Sequence, residues 1–288
     1  MPSQPRVVLI SGCSTGIGRA AAERLAGAGH TVYATARRLD SIADLEAKGC
    51  RTLALDVLDE ESMKAAVAAV EAEHGAVDAL VNNAGYSLSG AVESVELDQA
   101  RRQFETNVFG LVRMAQLVLP GMRRQGFGRI VNISSMGGKV VFPGGGFYHG
   151  TKFAVEALSD ALRFEVAGFG VGVALVEPGL IKTEFGSAAI GALNDATVDH
   201  DGPYGDFNQA VAAVTAGAYS GKMSRLAAGP DAVAKAIQRA IESKRPKTRY
   251  VVTAGARILI FLRRLLPDRL FERVVGGSFP RPKASGSG

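Results

Sequence analysis

Arg6-Val7-Val8-Leu9-Ile10-Ser11-Gly12-Cys13-Ser14-Thr15-Gly16-Ile17-Gly18 decides the fold. Val7–Ile10 is an apolar run of strand length, the next eight residues hold three glycines, and Arg19 to Ala28 carries a helical pattern. Strand, glycine turn and helix in that order suit a bound diphosphate. Glycines let the backbone turn tightly and approach the ligand, while the free N–H groups and positive end of the helix dipole favour an anion. Three residues separate Gly12 from Gly16, so the spacing departs from the plain G-x-G-x-x-G fingerprint, and a glycine turn can also be purely structural. Gly12, Ser14, Thr15, Gly16, Ile17 and Gly18 are the first candidate dinucleotide contacts.

From there to residue 180, short Val/Ile/Leu-rich runs alternate with longer alanine-rich amphipathic stretches, the pattern of repeated βαβ units. The runs predict strands over Val7–Ile10, Thr31–Ala36, Arg51–Leu55, Ala79–Asn82, Arg129–Ser134, Val171–Val176 and Arg249–Thr253. With right-handed crossovers the expected architecture is α/β: a Rossmann-type doubly wound parallel β-sheet of about seven strands flanked by helices, with ligands beyond the strands' carboxyl ends. The 288 residues, 47% hydrophobic and with 35 glycines, suit one domain over 1–255, a C-terminal helical extension over 256–280 and a flexible tail over 281–288.

The second chemical signal is Phe147-Tyr148-His149-Gly150-Thr151-Lys152-Phe153, whose spacing puts the Tyr148 phenol and the Lys152 ammonium on one helix face. A free tyrosine titrates near about 10, and a neighbouring positive charge favours its phenolate, so such a pair can act as an acid–base. Tyr-x-x-x-Lys also occurs on helices by chance. Neighbouring helix positions face differently, so His149 is expected on the helix surface or a pocket rim, without a role.

The glycine spacing and this pair together resemble the short-chain dehydrogenase/reductase family, whose members carry T-G-x-x-x-G-x-G near the start and Y-x-x-x-K in the second half. Ser11 replaces the family's threonine and keeps a hydroxyl for the turn. The resemblance continues in family order through Asp56-Val57, Asn82-Asn83-Ala84-Gly85, Asn107, Ile133-Ser134-Ser135 and Pro178-Gly179-Leu180-Ile181-Lys182-Thr183. It implies a serine thirteen residues before the tyrosine, Ser135, bonded to the substrate oxygen. It implies Tyr148 as general acid–base, Lys152 as the group that lowers the phenol's pKa and holds the nicotinamide ribose, and Asn107 as a support for Lys152 through water. Asn107 also fits a capping or kink-forming role.

The same resemblance gives Asp56 to the adenine and Val57 to its pocket, and places Asn82, Asn83, Ala84 and Gly85 beneath the adenosine ribose. Asp56 equally suits the N-cap of a helix over Leu58–Val70. Pro178, Gly179, Ile181 and Thr183 resemble the segment that holds the nicotinamide. Family members commonly pair through the helices that include Asn107 and Tyr148, which implies a homodimer or homotetramer. The implied reaction is hydride transfer between nicotinamide and a carbonyl or secondary alcohol. A silent dinucleotide-binding sensor or scaffold, or an epimerase or dehydratase of the family's extended type, are the alternatives; the complete Asn107, Ser135, Tyr148, Lys152 set opposes the first and the glycine spacing the second.

Cofactor choice is read at the end of the second strand, Val32-Tyr33-Ala34-Thr35-Ala36-Arg37-Arg38. An NAD enzyme usually has an acidic residue there for the ribose hydroxyls; here the place holds Ala36, and Arg37 beside it suits a 2′-phosphate. NADP(H) is expected over NAD(H), with a solvated Arg37/Arg38 loop pair as the alternative. No metal is expected, because His30, His74, His149 and His200 lack clustered ligand spacing.

Residues 184–228 match the family's variable substrate lid, and Phe142, Phe147, Phe185, Tyr204 and Phe207 suit either a hydrophobic cleft for a lipophilic ketone or alcohol or ordinary core. The glycine turn, Tyr-Ala-Thr-Ala-Arg and the long C-terminal extension resemble the 17β-hydroxysteroid and retinol dehydrogenase-like branch. In that extension Ile258–Pro267 is apolar with basic residues; closure over the pocket or packing as a helix pair broken at Pro267 is favoured over peripheral contact with an anionic membrane. No apolar run approaches the roughly 20 residues of a membrane span, and no secretory signal is visible, so a cytoplasmic location is expected. Cys13 and Cys50 fit a reducing compartment. The net charge of +5 is modest and spread out, which argues against a nucleic-acid partner.

Overall fold

A computed structural model of the chain describes residues 4–183, 202–220, 227–277 and 279–282. Seven parallel strands form one sheet: β1 (Val7–Ile10), β2 (Thr31–Ala36), β3 (Arg51–Ala54), β4 (Ala79–Asn82), β5 (Gly128–Ile133), β6 (Val171–Glu177) and β7 (Arg249–Val251). Their order is β3-β2-β1-β4-β5-β6-β7, with every neighbouring pair parallel. The chain builds outward from β1 in one direction, then returns to place β4 on its other side. The gap between the carboxyl ends of β1 and β4 is therefore the switch point at which such sheets bind ligands.

Each expected strand is present: β1, β2 and β4 have the expected ends, and the other four are displaced at an end by one or two residues, as is usual where a ladder gives way to a turn. The first helix, α1 (Gly16–Gly27), starts earlier than Arg19, so Gly16 and Gly18 lie in its first turn. The next helix, α2, is Glu60–His74 rather than Leu58–Val70. Its cap is Asp59, whose carboxylate accepts from the N–H groups of Glu61 and Ser62. Asp56 is thus not the N-cap; its side chain accepts from the N–H of Leu58 at 3.0 Å.

Alternation along each strand divides the core into two layers. Val8 and Ile10 of β1 pack with Ala21, Ala22 and Leu25 of α1 and with Val233, Ile237 and Ile241 of α7 (Pro230–Glu242). Leu9 points the other way, toward Val67 and Val70 of α2 and Met114, Val118 and Met122 of α4 (Gly110–Gln125). Because both faces are covered, the central strands read as continuous apolar runs. Each fully buried Val, Leu or Ile contributes about 1.5–3 kcal/mol relative to exposure.

Between α3 (Leu97–Phe104) and α4 runs one π-helical segment, Glu105–Phe109, with buried Asn107 inside it. Helix α5 (Gly146–Val166) carries Tyr148 and Lys152. Helix α6 (Gly205–Ser220) is the described part of the 184–228 stretch with regular structure; residues 184–201 and 221–226 lie outside the described residues. Two C-terminal helices, α8 (Ala254–Leu265) and α9 (Asp268–Gly276), meet at Pro267 and fold back, where Ile260 and Phe271 form a small core with Val140. Among the described residues no helix is long and apolar enough to cross a membrane. Of the expected 281–288 tail, residues 283–288 lie outside the described residues.

Candidate active site

At the carboxyl ends of the strands lies a cleft of about 1100 Å³. Its first wall is the glycine turn, held by hydrogen bonds to a partner far away in sequence. The buried Ser11 hydroxyl oxygen accepts from the N–H groups of Asn83 and Ala84, each at 3.0 Å. The Asn83 amide returns two bonds, to the carbonyls of Ser11 at 3.0 Å and Gly12 at 2.8 Å. Gly12 needs its positive φ of 73°, and a Cβ at Gly18 would stand 2.2 Å from the Gly12 carbonyl oxygen. The turn and the segment after β4 are thus one rigid unit.

Thr15 sits at the N-cap of α1 without capping it, and no acidic residue occupies that helix's first turn, so its N–H groups face the cleft without an internal anion. Ser14, Thr15, Gly16 and Ile17 line the cleft. At the far end, Ala36 and Arg37 follow β2 into the wall; Arg37 is exposed and pairs with no carboxylate among the described residues. Asp56, Val57, Asn83, Ala84 and Gly85 complete this half. Asn82 does not: it is buried, and its amide donates to the Leu111 carbonyl and to Asn132 Oδ1 across the sheet. The period of two in β4 turns Asn82 inward and frees Asn83 for the cleft.

Pro178, Gly179, Ile181 and Thr183 form the opposite wall. The Pro178 carbonyl accepts from the Met136 N–H at 2.8 Å, tying this wall to the loop of Ser135. Ile181 bridges Ala228, and Thr183 packs 3.3 Å from where a Cβ on Gly16 would be, so this segment reaches back over the glycine turn.

Ser135, Tyr148 and Lys152 all line the same cleft. Lys152 is buried, its ammonium donates to the Ile133 carbonyl at 2.8 Å, and it lies 5.8 Å from the centre of the Tyr148 ring. Burial pushes its pKa down to about 8, opposed by the charge of Glu156 one turn further along α5. Asn107 lies behind. Its amide donates to the carbonyl of Tyr86 at 2.9 Å and to the Thr151 hydroxyl at 3.1 Å, while its oxygen accepts from the Tyr86 N–H at 3.0 Å. A Cβ on Gly85 would stand 2.9 Å from that oxygen and 4.0 Å from the Lys152 nitrogen, so Gly85 separates the two by the width of one backbone. The π-helical turn aims Asn107 there, a local irregularity often found at functional sites.

Of the two places expected for His149, the structure takes the pocket rather than the helix surface, and buries the ring more deeply than a rim position. It is only 7% exposed and lines the cleft, its ring wedged against Gly137 and Gly145, where a Cβ on either would approach within 2.5 Å. Burial pushes its pKa down to about 4. Residues 137 and 145 are both glycine, which lets the ring turn inward; helix phase alone does not show this. Beneath Lys152, Glu156 pairs with Lys139 at 2.7 Å and with Arg249 at 3.0 Å, and Glu177 lies 3.1 Å from the same guanidinium. Burial, then the Glu156 charge, pushes Glu177 up to about 7. Neither glutamate nor Arg249 had a sequence signal, since four separate elements supply the cluster.

Of the expected apolar lining, Phe142 is present. Phe147 does not line the cleft, Tyr204 instead donates to Glu93 at 2.7 Å, Phe207 packs on Phe279 at 6.4 Å, and Phe185 lies outside the described residues. The apolar end is built by Leu88, Val211, Val214, Leu259, Val274 and Val275, from a loop and three helices. Among the described residues no group of three or more His, Cys, Asp or Glu is placed to hold a metal. Cys13 and Cys50 are buried free thiols, pushed up to about 12 and about 11 by burial, and so unreactive.

Residues 6–191 match the sequence profile of the short chain dehydrogenase family. The chain is 34% identical over 271 residues to the uncharacterized oxidoreductase YbbO of Escherichia coli K12, covering 94% of both. A solved short-chain dehydrogenase from Streptomyces avermitilis superposes with a TM-score of 0.78 at 34% identity, over 96% of this chain and 97% of that one. The closed form of a serine dehydrogenase complexed with NADP+ does so at 0.73 and 28% identity, over 86% and 94%. With this profile, these relatives and a doubly wound sheet whose switch point bears the glycine turn, the chain belongs to the short-chain dehydrogenase/reductase family of oxidoreductases.

Proposed function

We propose that the protein is an NADP(H)-dependent oxidoreductase that interconverts a carbonyl and a secondary alcohol on a lipophilic small molecule. The observation that carries this reading is the buried Lys152 ammonium beside the Tyr148 ring, on the cleft wall that also holds Ser135. The glycine cradle at Gly12 and Gly18 and the uncapped start of α1 fit a diphosphate, and Arg37, without a carboxylate partner among the described residues, fits a 2′-phosphate. The NADP+ in the serine dehydrogenase structure supports the same choice. When bound, the nicotinamide cofactor supplies or accepts the hydride.

The chain's own residues do the rest. Ser135 hydrogen-bonds the substrate oxygen, and Tyr148 gives that oxygen its proton in reduction or removes it in oxidation. The positive charge of Lys152 favours the phenolate over the phenol, which makes Tyr148 a better proton donor and acceptor. Asn107 anchors the Tyr86 backbone and Thr151, one residue before Lys152, and so holds the lysine's helix in place. The aliphatic wall from Leu88 to Val275 supports a lipophilic substrate. Self-association belongs to the same reading, supported by Phe109, Phe153, Leu158 and Phe164, exposed on the π segment and α5.

The test is NADPH absorbance against a panel of lipophilic ketones and aldehydes, beside NADH and a Tyr148→Phe variant. Consumption that prefers NADPH and disappears in the variant is expected. A variant that keeps most of its turnover would overturn the acid–base assignment.

A further inference from the structure

The C-terminal helices show three kinds of face. On α8, Ala256 and Ile260 are buried, Leu259 lines the cleft, and Ile258, Phe261 and Leu265 are 59%, 62% and 65% exposed. Those three recur at helical spacing, forming an outward apolar stripe, with Arg257 and Arg264 alongside. On α9, Leu270 and Val274 are 45% and 52% exposed, with Arg269 and Arg273 beside them. Val274 is also part of the cleft wall, so the exposed apolar surface runs up to the cleft's rim.

Charge distinguishes this surface from the exposed apolar face of α5. Residues 254–276 hold five arginines (Arg257, Arg263, Arg264, Arg269, Arg273) against two acidic residues (Asp268, Glu272), a net charge of +3. Arg263 is neutralised by Asp268, 2.8 Å away, and lies over the Phe271 ring. Arg264, Arg269 and Arg273 pair with no carboxylate among the described residues. A second copy of the same face would set these arginines against one another, since a two-fold interface meets itself. Apolar stripes bordered by unpaired arginines instead match a surface with anionic headgroups above hydrocarbon.

We infer that α8 and α9 seat the protein on an anionic lipid bilayer, with Ile258, Phe261, Leu265 and Leu270 entering the headgroup boundary and the cleft rim at Val274 facing the lipid. A substrate dissolved in the bilayer then reaches the cleft without crossing water. The docking itself does not depend on which substrate is used or on the acid–base reading.

The test is co-sedimentation of the full chain with vesicles of phosphatidylcholine and phosphatidylglycerol in equal parts, and with phosphatidylcholine alone. Binding to the mixed vesicles is expected, with little to the neutral ones. Phe261→Ser with Leu265→Ser should abolish it. Arg264→Gln with Arg269→Gln should weaken it about 30-fold, each arginine near an anionic surface being worth a factor of about five. NADPH binding and the circular dichroism spectrum should be unchanged, because none of these four side chains lines the cleft. Failure to bind the mixed vesicles, or binding unaltered in both variants, overturns the inference. So does a fall in oligomeric size in the Phe261→Ser, Leu265→Ser variant without a change in lipid binding, which would make the face an interface between copies.

Discussion

Ser11→Ala isolates the joint between the glycine turn and the segment after β4. The hydroxyl oxygen of Ser11 is the acceptor for two backbone N–H groups, those of Asn83 and Ala84, and Ser11 is only 2% exposed. Alanine removes the acceptor shared by both bonds. A stranded buried donor costs about 1–3 kcal/mol, and Asn83 and Ala84 are partly rather than fully buried, so the expected loss is about 2–4 kcal/mol. In a chain of this size that is a fall in Tm of roughly 3–7 °C. Affinity for NADPH should fall at least about tenfold, since that corresponds to only about 1.4 kcal/mol of displaced cleft wall. Urea unfolding and a fluorescence titration with NADPH measure the two effects. Ser11→Thr keeps the oxygen and should stay close to the parent protein in both. A Ser11→Ala protein within about 0.5 kcal/mol of the parent, with unchanged NADPH affinity, would refute the claim that this hydroxyl holds the two segments together.

Three further outcomes are expected. Arg37→Ala should lower NADPH affinity about 10–100-fold, the worth of a hydrogen-bonded charge pair, while NADH affinity stays within twofold or so; equal losses for both cofactors would remove Arg37 from the phosphate site. His149 is held neutral by burial with its pKa lowered to about 4 from 6.5, so its contribution to stability is present above about 6.5 and is lost as pH falls through about 4. At most about 3 kcal/mol follows from that shift, and a His149→Gln protein should have a flatter acid limb in urea unfolding than the parent. Glu177 is shifted the other way, up to about 7 from 4.5, so its contribution is present below about 4.5 and lost as pH rises through about 7. Glu177→Gln should therefore be at least as stable as the parent above pH 7, and a less stable variant there would mean that the carboxylate's pairing with Arg249 outweighs its burial.

Local pattern made much of the fold and site legible. Val7–Ile10 is apolar because both its faces are covered, and the glycines after it are required by a positive φ at Gly12 and a close approach at Gly18. The four-residue interval from Tyr148 to Lys152 fixes a shared helix face wherever that helix packs. What misled was the environment of single residues. Asp56 and Asp59 are both acidic residues at a strand–helix junction, and only the true start of α2 distinguishes the cap from the cleft residue. Helix phase leaves His149 on the surface or a pocket rim, and the glycines opposite let its ring sink into the cleft wall. For Phe147, Tyr204 and Phe207 hydrophobicity leaves pocket and core equally open, because it does not say which cavity a ring enters.

The sequence by itself determined the strand periodicity, the glycine turn, the tyrosine–lysine pair and the absence of an acidic residue at Ala36, because each is a property of neighbours within one element. Only the tertiary structure decided that Ser11 clasps Asn83 and Ala84, that Glu156, Glu177, Lys139 and Arg249 meet beneath Lys152, and that α8 presents Leu259 to the cleft and Phe261 to solvent. Those facts depend on contacts between residues tens of positions apart, and the packing of whole layers, rather than any local spacing, brings such residues together.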